Sequence, residues 1–175
     1  MRTLRLVSAY LLSIFLFGIL FPALGRGIGL WLDRFLGFEP LRYEVVSIVF
    51  GSSVILFGLF WMIWSWHSLL TIGRGHPQEV FGFTLAPRTE RVVIVGPYTY
   101  TRNPMLLGLL LLLVGWGVIL GSVSATLFSP LLLVALLLLH FNFFEEPGLW
   151  RRFGEEYEGY RHQVPLILPY KWRRG

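Results

Sequence analysis

Apolar residues gather in four long runs along this chain rather than in the short alternating stretches of a water-soluble domain. The runs cover roughly Leu4–Leu24, Val45–Leu70, Pro104–Gly121 and Thr126–Phe144. A helix needs about 20 mostly apolar residues to cross a hydrocarbon core. None of the four runs holds Asp, Glu or Lys in its middle, and the only internal Arg is Arg5, near an end. The pattern predicts an all-α integral membrane protein with four transmembrane helices. The stretch GSVSA joins the third and fourth runs so closely that they must form a tight antiparallel hairpin.

The segments between the runs are less uniform. Gly25–Tyr43 scatters Trp31, Phe35 and Phe38 among charges and reads as a short helix lying in the membrane interface. Trp61, Trp64 and Trp66 cluster near the end of the second run, a belt of the kind that anchors helices at headgroup level, with an aromatic ligand wall as the sharper alternative. The loop Thr71–Asn103 is rich in Gly and Pro, with one short β-like run at Val92–Val95. It is longer than a plain connection, as functional loops tend to be, and it reads as an ordered lid. After Pro147, Leu149, Trp150, Phe153, Tyr157 and Tyr160 recur at spacings of three and four, which predicts an amphipathic C-terminal helix. The chain thus divides into residues 1–70, two helices with an interfacial linker, and residues 71–175, the loop, the hairpin and the C-terminal helix.

Composition sharpens this picture. Hydrophobic residues make up 55% of the 175 residues and charged residues 14%, against about a quarter charged in an ordinary soluble domain. The first run follows Arg2 and Arg5 as a signal peptide would. It is longer than a signal core, however, and no small-x-small cleavage site follows it, so it reads as a retained helix. The net charge of +5 arises from placement. With four spans, every Lys and Arg except Arg26, Arg34 and Arg42 falls on the side shared by both termini and the middle loop. The positive-inside rule makes that side cytoplasmic. The excess is topological and suits anionic lipid rather than nucleic acid. With no cysteine there is neither a disulfide framework nor thiolate chemistry. His67 has no second His or carboxylate at helical spacing, and no metal site is expected.

Both polar clusters of the sequence sit at the mouth of the predicted hairpin. One is GPYTYTRNPMLLG, Gly96–Gly108; the other begins at His140 and runs HFNFFEEPGLWRRFGEEYEGYRHQVP. Asn103 as N-cap and Pro104 at the first helical position are accounted for by helix capping alone. Tyr98, Tyr100 and Arg102 are not, nor are Glu145 and Glu146, since carboxylates at a helix C-terminus oppose the macrodipole. Adjacent carboxylates at a membrane boundary point to a cationic or hydrogen-bond-donating ligand, unless Glu146 merely caps a helix that starts at Pro147. His140 faces the same mouth, as a potential base or as a hydrogen-bonded helix-end residue.

These residues carry a resemblance. GPYTYTRNPMLLG, a short hairpin, and then EEPGLWRRFGEEYEGYRHQVPLILP resemble the isoprenylcysteine carboxyl methyltransferase family, itself similar to the phospholipid N-methyltransferases. The family pattern reads approximately G-P-Y-x-Y-x-R-[HN]-P-x-Y-x-G, then E-E and F-G-x-x-Y-x-x-Y, over about Val93 to Pro169. The resemblance implies methyl transfer from S-adenosylmethionine without a Rossmann domain, and no G-x-G-x-x-G stands after a strand here. It implies a cofactor site at Tyr98, Arg102, Asn103, Pro104, Gly108, Glu145, Glu146, Tyr157 and Tyr160. Arg102, Asn103 and Arg161 are the candidates for a catalytic part. Many relatives have His where this chain has Asn103, and Tyr where it has Leu106.

The roles implied are physical ones. Glu145 and Glu146 accept hydrogen bonds from ribose, adenine or ammonium groups, and Arg102 pairs with a carboxylate. Tyrosines offer π faces to a sulfonium, and Gly108 lets a ligand or a neighbouring helix approach. A lipid or isoprenoid-like acceptor (carboxylate, thiol or amine) would enter laterally from the membrane, plasma or inner, while the cofactor enters from the cytoplasm. The alternatives are a nicotinamide-dependent reductase related to sterol reductases, or a non-enzymatic small membrane protein. No oligomeric state is legible in the sequence.

Overall fold

A computed structural model describes residues 15, 19–39, 44–74, 79–80, 83–84 and 90–168. Most of the predicted first span lies outside these residues. Its end continues without interruption into the linker, as helix α1, Phe21–Leu36. The helix stops at Gly37, whose φ of 73° is the left-handed conformation that glycine adopts without steric cost, and the Gly37 N–H closes on the Asp33 carbonyl. Leu24, Ile28, Trp31 and Phe35 form one exposed apolar stripe at helical spacing, with the Trp31 and Phe35 rings stacked 5.5 Å apart.

Helix α2 spans Glu44–Thr71, α3 Pro104–Ile119 and α4 Val123–His140. Among the described residues, two helical stretches are long and apolar enough to cross a membrane, Glu44–Thr71 and the continuous run Val123–Phe153. Helix α3 is as apolar but has 16 residues, about 24 Å at 1.5 Å per residue. A turn of π-helix, Phe141–Glu145, follows α4. The predicted C-terminal helix is in fact two, α5 at Glu146–Phe153 and α6 at Glu155–Gln163. They break at Gly154, whose φ of 52° and ψ of −127° no side-chain-bearing residue adopts readily. Trp150, before the break, is exposed, whereas Tyr157, after it, is buried.

The β-like run Val92–Val95 has no strand partner among the described residues. Val93 alone is buried, as a packing residue in irregular backbone. The described strand pairing lies elsewhere, where Glu79–Val80 (β1) and Phe83–Thr84 (β2) pair antiparallel, Glu79 opposite Thr84. The remaining regular structure among the described residues is helical.

Two compact units are present. One draws its described residues from Phe60–Leu107 and Leu137–Gly175, the other from Val7–Leu59 and Gly108–Leu136. In the second unit small residues bring helix backbones together. A Cβ on Gly51 would lie 2.6 Å from the Gly115 carbonyl oxygen, and one on Gly115 equally close to that of Gly51. One antiparallel step away, Gly58 would meet the Gly108 carbonyl at 2.7 Å. Gly117 abuts the Thr126 backbone across the hairpin, and Gly29 abuts Ala125. Where the surroundings are as apolar as the side chains, close backbone packing of this kind holds helices together. Asp33 of α1 reaches the start of α4: it accepts the Ser122 hydroxyl proton and the Ser124 N–H (2.8 Å). Ser122 Oγ in turn accepts the Ala125 N–H at 3.0 Å, so a carboxylate from one helix reinforces the cap of another.

Candidate functional site

The site lies in the first unit and begins with a glycine. Gly96 has φ of 64°, and a side chain there would press on Ser68 Oγ at 3.0 Å and Trp64 Nε1 at 3.4 Å. Only glycine permits the 3₁₀ turn Gly96–Thr99 to lie so close to α2. The turn buries Tyr98, whose phenol shares a hydrogen bond of 2.9 Å with Ser65 Oγ of α2. Tyr160 of α6 donates to the Tyr98 carbonyl at 2.8 Å. Burial pushes both phenols well above their ordinary range. At Tyr98 the Ser65 hydrogen bond works against that rise and the Glu145 charge adds to it; at Tyr160 the neighbouring Tyr98 adds.

The next residues hold the chain leaving α6. Arg102 N–H donates to the Pro165 carbonyl at 2.8 Å and Asn103 N–H to the Leu166 carbonyl at 3.1 Å. The Thr101 hydroxyl, fully buried, donates to the same Leu166 carbonyl at 3.0 Å. Asn103 is the N-cap of α3 in its backbone, since its carbonyl takes the Leu107 N–H at 3.0 Å, and Pro104 follows buried at the first helical position.

Charge concentrates at Arg102. Its Nη1 donates to Glu146 Oε1 at 2.9 Å and to the Tyr157 phenol at 3.4 Å, and Arg161 Nε approaches the same Glu146 oxygen at 3.2 Å. The side chains of Arg102 and Glu146 are 12% and 15% exposed, so water screens this pair weakly. The guanidinium also lies 5.8 Å from the Phe141 ring centre, while its Nε is buried without a hydrogen-bond partner. Burial raises the Tyr157 phenol, against the pull of Arg102.

Beside this cluster is a cavity of ≈ 60 Å³ walled by Asn103, Leu106, His140, Phe141, Glu145 and Leu166, with Leu137 and Leu138 behind. The sequence pairs Glu145 with Glu146, but the structure separates their roles. Glu145 lines the cavity, and Glu146 pairs with two arginines. Arg102, expected to meet a ligand carboxylate, already has a carboxylate partner in Glu146, while its buried Nε is an unmatched donor.

Of the residues named from sequence, Asn103 and Glu145 stand on the cavity wall. Arg102, Glu146, Tyr157 and Arg161 form the ion-pair cluster, and Tyr98 and Tyr160 the tyrosine pair. Gly108 belongs to the second unit, where its carbonyl receives Gly58. Of the aromatic belt, Trp61 and Trp64 pack with Tyr100, centroids 5.7–6.3 Å apart, whereas Trp66 is exposed. Sequence reasoning missed Thr101, Leu166 and Ser65 and left His140 undecided. Thr101 stands inside the quoted motif, but the partners it meets lie far along the chain and leave no local signal.

A cationic, hydrogen-bonding ligand suits this set of groups: Glu145 to offset positive charge, the Asn103 amide to donate or accept, and the Phe141 face for a cation. The pattern of the phospholipid methyltransferase family matches residues 46–156, from α2 to the start of α6, more than half the chain. Comparison with curated proteins and with solved structures returned no match.

Proposed function

Because the chain belongs to the phospholipid methyltransferase family, a family of membrane methyltransferases, we propose that it transfers a methyl group from S-adenosylmethionine to a lipid or isoprenoid-like acceptor held in the membrane. The single observation that carries the assignment of the site is the cavity walled by Asn103, His140 and Glu145 beside the Arg102–Glu146 pair. Neither a nicotinamide-dependent reductase nor a non-enzymatic scaffold gains support from the family match.

When bound, the cofactor supplies an electrophilic methyl on a positively charged sulfur. The protein's part is to bind, orient and exclude water, and positioning of this kind lowers a barrier most where the reacting atoms are held close. Glu145 balances the sulfonium charge and accepts hydrogen bonds. Asn103 fixes the ligand's orientation from the N-terminus of α3. Arg102, tied by Glu146, holds the motif to α5, and the tyrosine pair fastens α6 against the 3₁₀ turn. A ≈ 60 Å³ cavity takes the reacting end of the ligand. Hydrogen bonds from Thr101, Arg102 and Asn103 hold the Pro165–Leu166 segment at the edge of this cavity.

The four-span arrangement with cytoplasmic termini accompanies this reading, since it puts the water-soluble cofactor and the lipid acceptor on two sides of one site. The natural chain lacks cysteine, so single substitutions report sidedness cleanly. Glu39→Cys should react with an impermeant maleimide from outside and Gly159→Cys only after permeabilisation. Ser122 is unsuitable for this purpose because it is fully buried. Activity is tested by incubating purified protein with radiolabelled S-adenosylmethionine and vesicles, in parallel, of phosphatidylethanolamine and of phosphatidylglycerol carrying a prenylated thiol. Label in extracted lipid is the expected result. Absence of label from both, with no binding of S-adenosylhomocysteine, would overturn the proposal.

A further inference from the structure

We propose that His140 is the proton acceptor of the transfer, a catalytic base carried into the cavity by the π-turn that follows it. The proposal rests on the reading of the cavity as the methyl-transfer site. His140 closes α4, and the turn Phe141–Glu145 comes directly after it, with the Glu146 N–H closing on the Phe141 carbonyl five residues back. In an α-helix, residues five apart point to different faces, because the neighbours on one face are three or four apart. An i→i+5 turn takes in one more residue, so His140 and Glu145 come to one face as i and i+4 normally would. Both then line the same cavity, with Asn103 beside them. Single π-turns inside α-helices occur frequently at functional sites. Here the turn has an identifiable effect: it sets an imidazole and a carboxylate against one small space.

The Asn103 amide on the same wall cannot take up a proton near neutral pH. Of the groups on this cavity's wall, His140 is the one whose ordinary titration falls between pH 5 and 8. Glu145 on the π-turn shares the cavity wall with it; Arg102 lies 5.8 Å from the ring centre of the next residue, Phe141, and the Glu145 charge reaches the Tyr98 phenol. The segment at Leu166 brings no charged group. An acceptor that arrives as N–H, O–H or S–H uses its lone pair to form the bond to the methyl carbon. The carbon–sulfur pair stays with sulfur, and the acceptor's proton passes to the neutral His140 ring nitrogen and from there to water. Charge and atoms balance with no further reactant.

The test separates binding from proton transfer. In the first arm, protein carrying ¹³C-labelled histidine is titrated with S-adenosylhomocysteine. The His140 resonance, identified by its loss in His140→Gln, should move on binding, while His162, exposed on α6, should not. In the second arm, single-turnover transfer into phosphatidylethanolamine vesicles is followed from pH 5.5 to 9. Wild type should show an acidic limb. His140→Gln should bind S-adenosylhomocysteine within about twofold of wild type, lose that limb, and fall in rate by about 10²-fold. Added imidazole should restore part of the rate to His140→Gly. A His140→Gln enzyme with the wild-type rate and the same acidic limb overturns the assignment of the base while leaving the site intact. Failure of wild type to bind S-adenosylhomocysteine overturns the reading of the site itself, and this proposal with it.

Discussion

At Gly51 and Gly115 backbone meets backbone, with room for each carbonyl only because the opposite residue lacks a side chain. At Arg102 and Glu146 two charged side chains meet at 2.9 Å, and Arg161, Tyr157 and the Phe141 ring surround them. The first region is an apolar seam whose cohesion is shape. Each contact is a dispersion contact of little individual strength, and none has a preferred polar partner. The second consists of directional contacts, each of which a ligand can redirect. The comparison teaches where function can reside in a membrane chain. A seam that tolerates no added atom cannot take up a substrate, whereas the polar cluster borders a cavity and keeps an unmatched donor at Arg102 Nε.

The sharpest way to break the comparison is to add volume to the seam. Gly117→Leu would drive a side chain into the Thr126 backbone, where the Cβ alone meets the amide nitrogen at 2.5 Å. Overpacking costs roughly 1–3 kcal/mol where side chains can move, and an immovable backbone places this change at or beyond the upper end. The expected result is protein that cannot be recovered monodisperse in mild detergent, judged by size-exclusion chromatography. A normal elution profile would mean the seam is looser than it looks.

Removing one charge from the cluster comes next. Glu146→Gln leaves Arg102 and Arg161 facing a neutral amide in a weakly screened place. Losing one partner of a buried pair costs about 3–5 kcal/mol, and the partial exposure here puts the loss at or below about 3 kcal/mol. Thermal unfolding followed by circular dichroism should show it, while Glu156→Gln, on the exposed face of α6, should leave the curve unchanged. Equal curves for the two variants would make the cluster a surface feature.

This contrast also explains what was legible from sequence. The second, third and fourth apolar runs announced α2, α3 and α4, and the two polar motifs at the hairpin mouth announced that the residues before α3 would meet α5 and α6. The break at Gly154 was hidden, since a glycine within a periodic pattern is compatible with a continuous helix. The π-turn was hidden too: it changes hydrogen-bond spacing without demanding any particular residue, and across it His140 and Glu145, five apart, line one cavity. The Gly51/Gly115 and Gly58/Gly108 pairs were written in the sequence as two spacings of seven. Seeing them required knowing which helices are neighbours.

A smaller effect tests the tyrosine pair. Tyr98 and Tyr160 are raised above the ordinary phenol value of about 10, so the folded protein holds their protons more tightly than the unfolded chain. The stability they contribute is complete below about pH 10 and is lost as the pH climbs toward their folded values. Stability should therefore decline above about pH 10, and Tyr98→Phe should soften that decline. At neutral pH the same variant should cost about 1 kcal/mol for the Ser65 hydrogen bond. Stability curves at pH 7 and 10.5 check both signs. Smallest, and opposite in direction, is Gly159→Ala. Nothing lies within 4 Å of the added Cβ in the middle of α6, so it should stabilise by about 0.5–1 kcal/mol without altering ligand binding.

In the proposed function, Glu145 and its cavity, rather than the ion-pair cluster alone, receive the cofactor. The most direct measurement is calorimetric titration of detergent-purified protein with S-adenosylhomocysteine, comparing wild type, Glu145→Gln and Glu156→Gln. A hydrogen bond to a charged group in a partly desolvated site contributes about 1.5–3 kcal/mol, so Glu145→Gln should weaken binding roughly ten- to hundredfold while Glu156→Gln stays within about twofold. Wild-type affinity in Glu145→Gln would contradict the account.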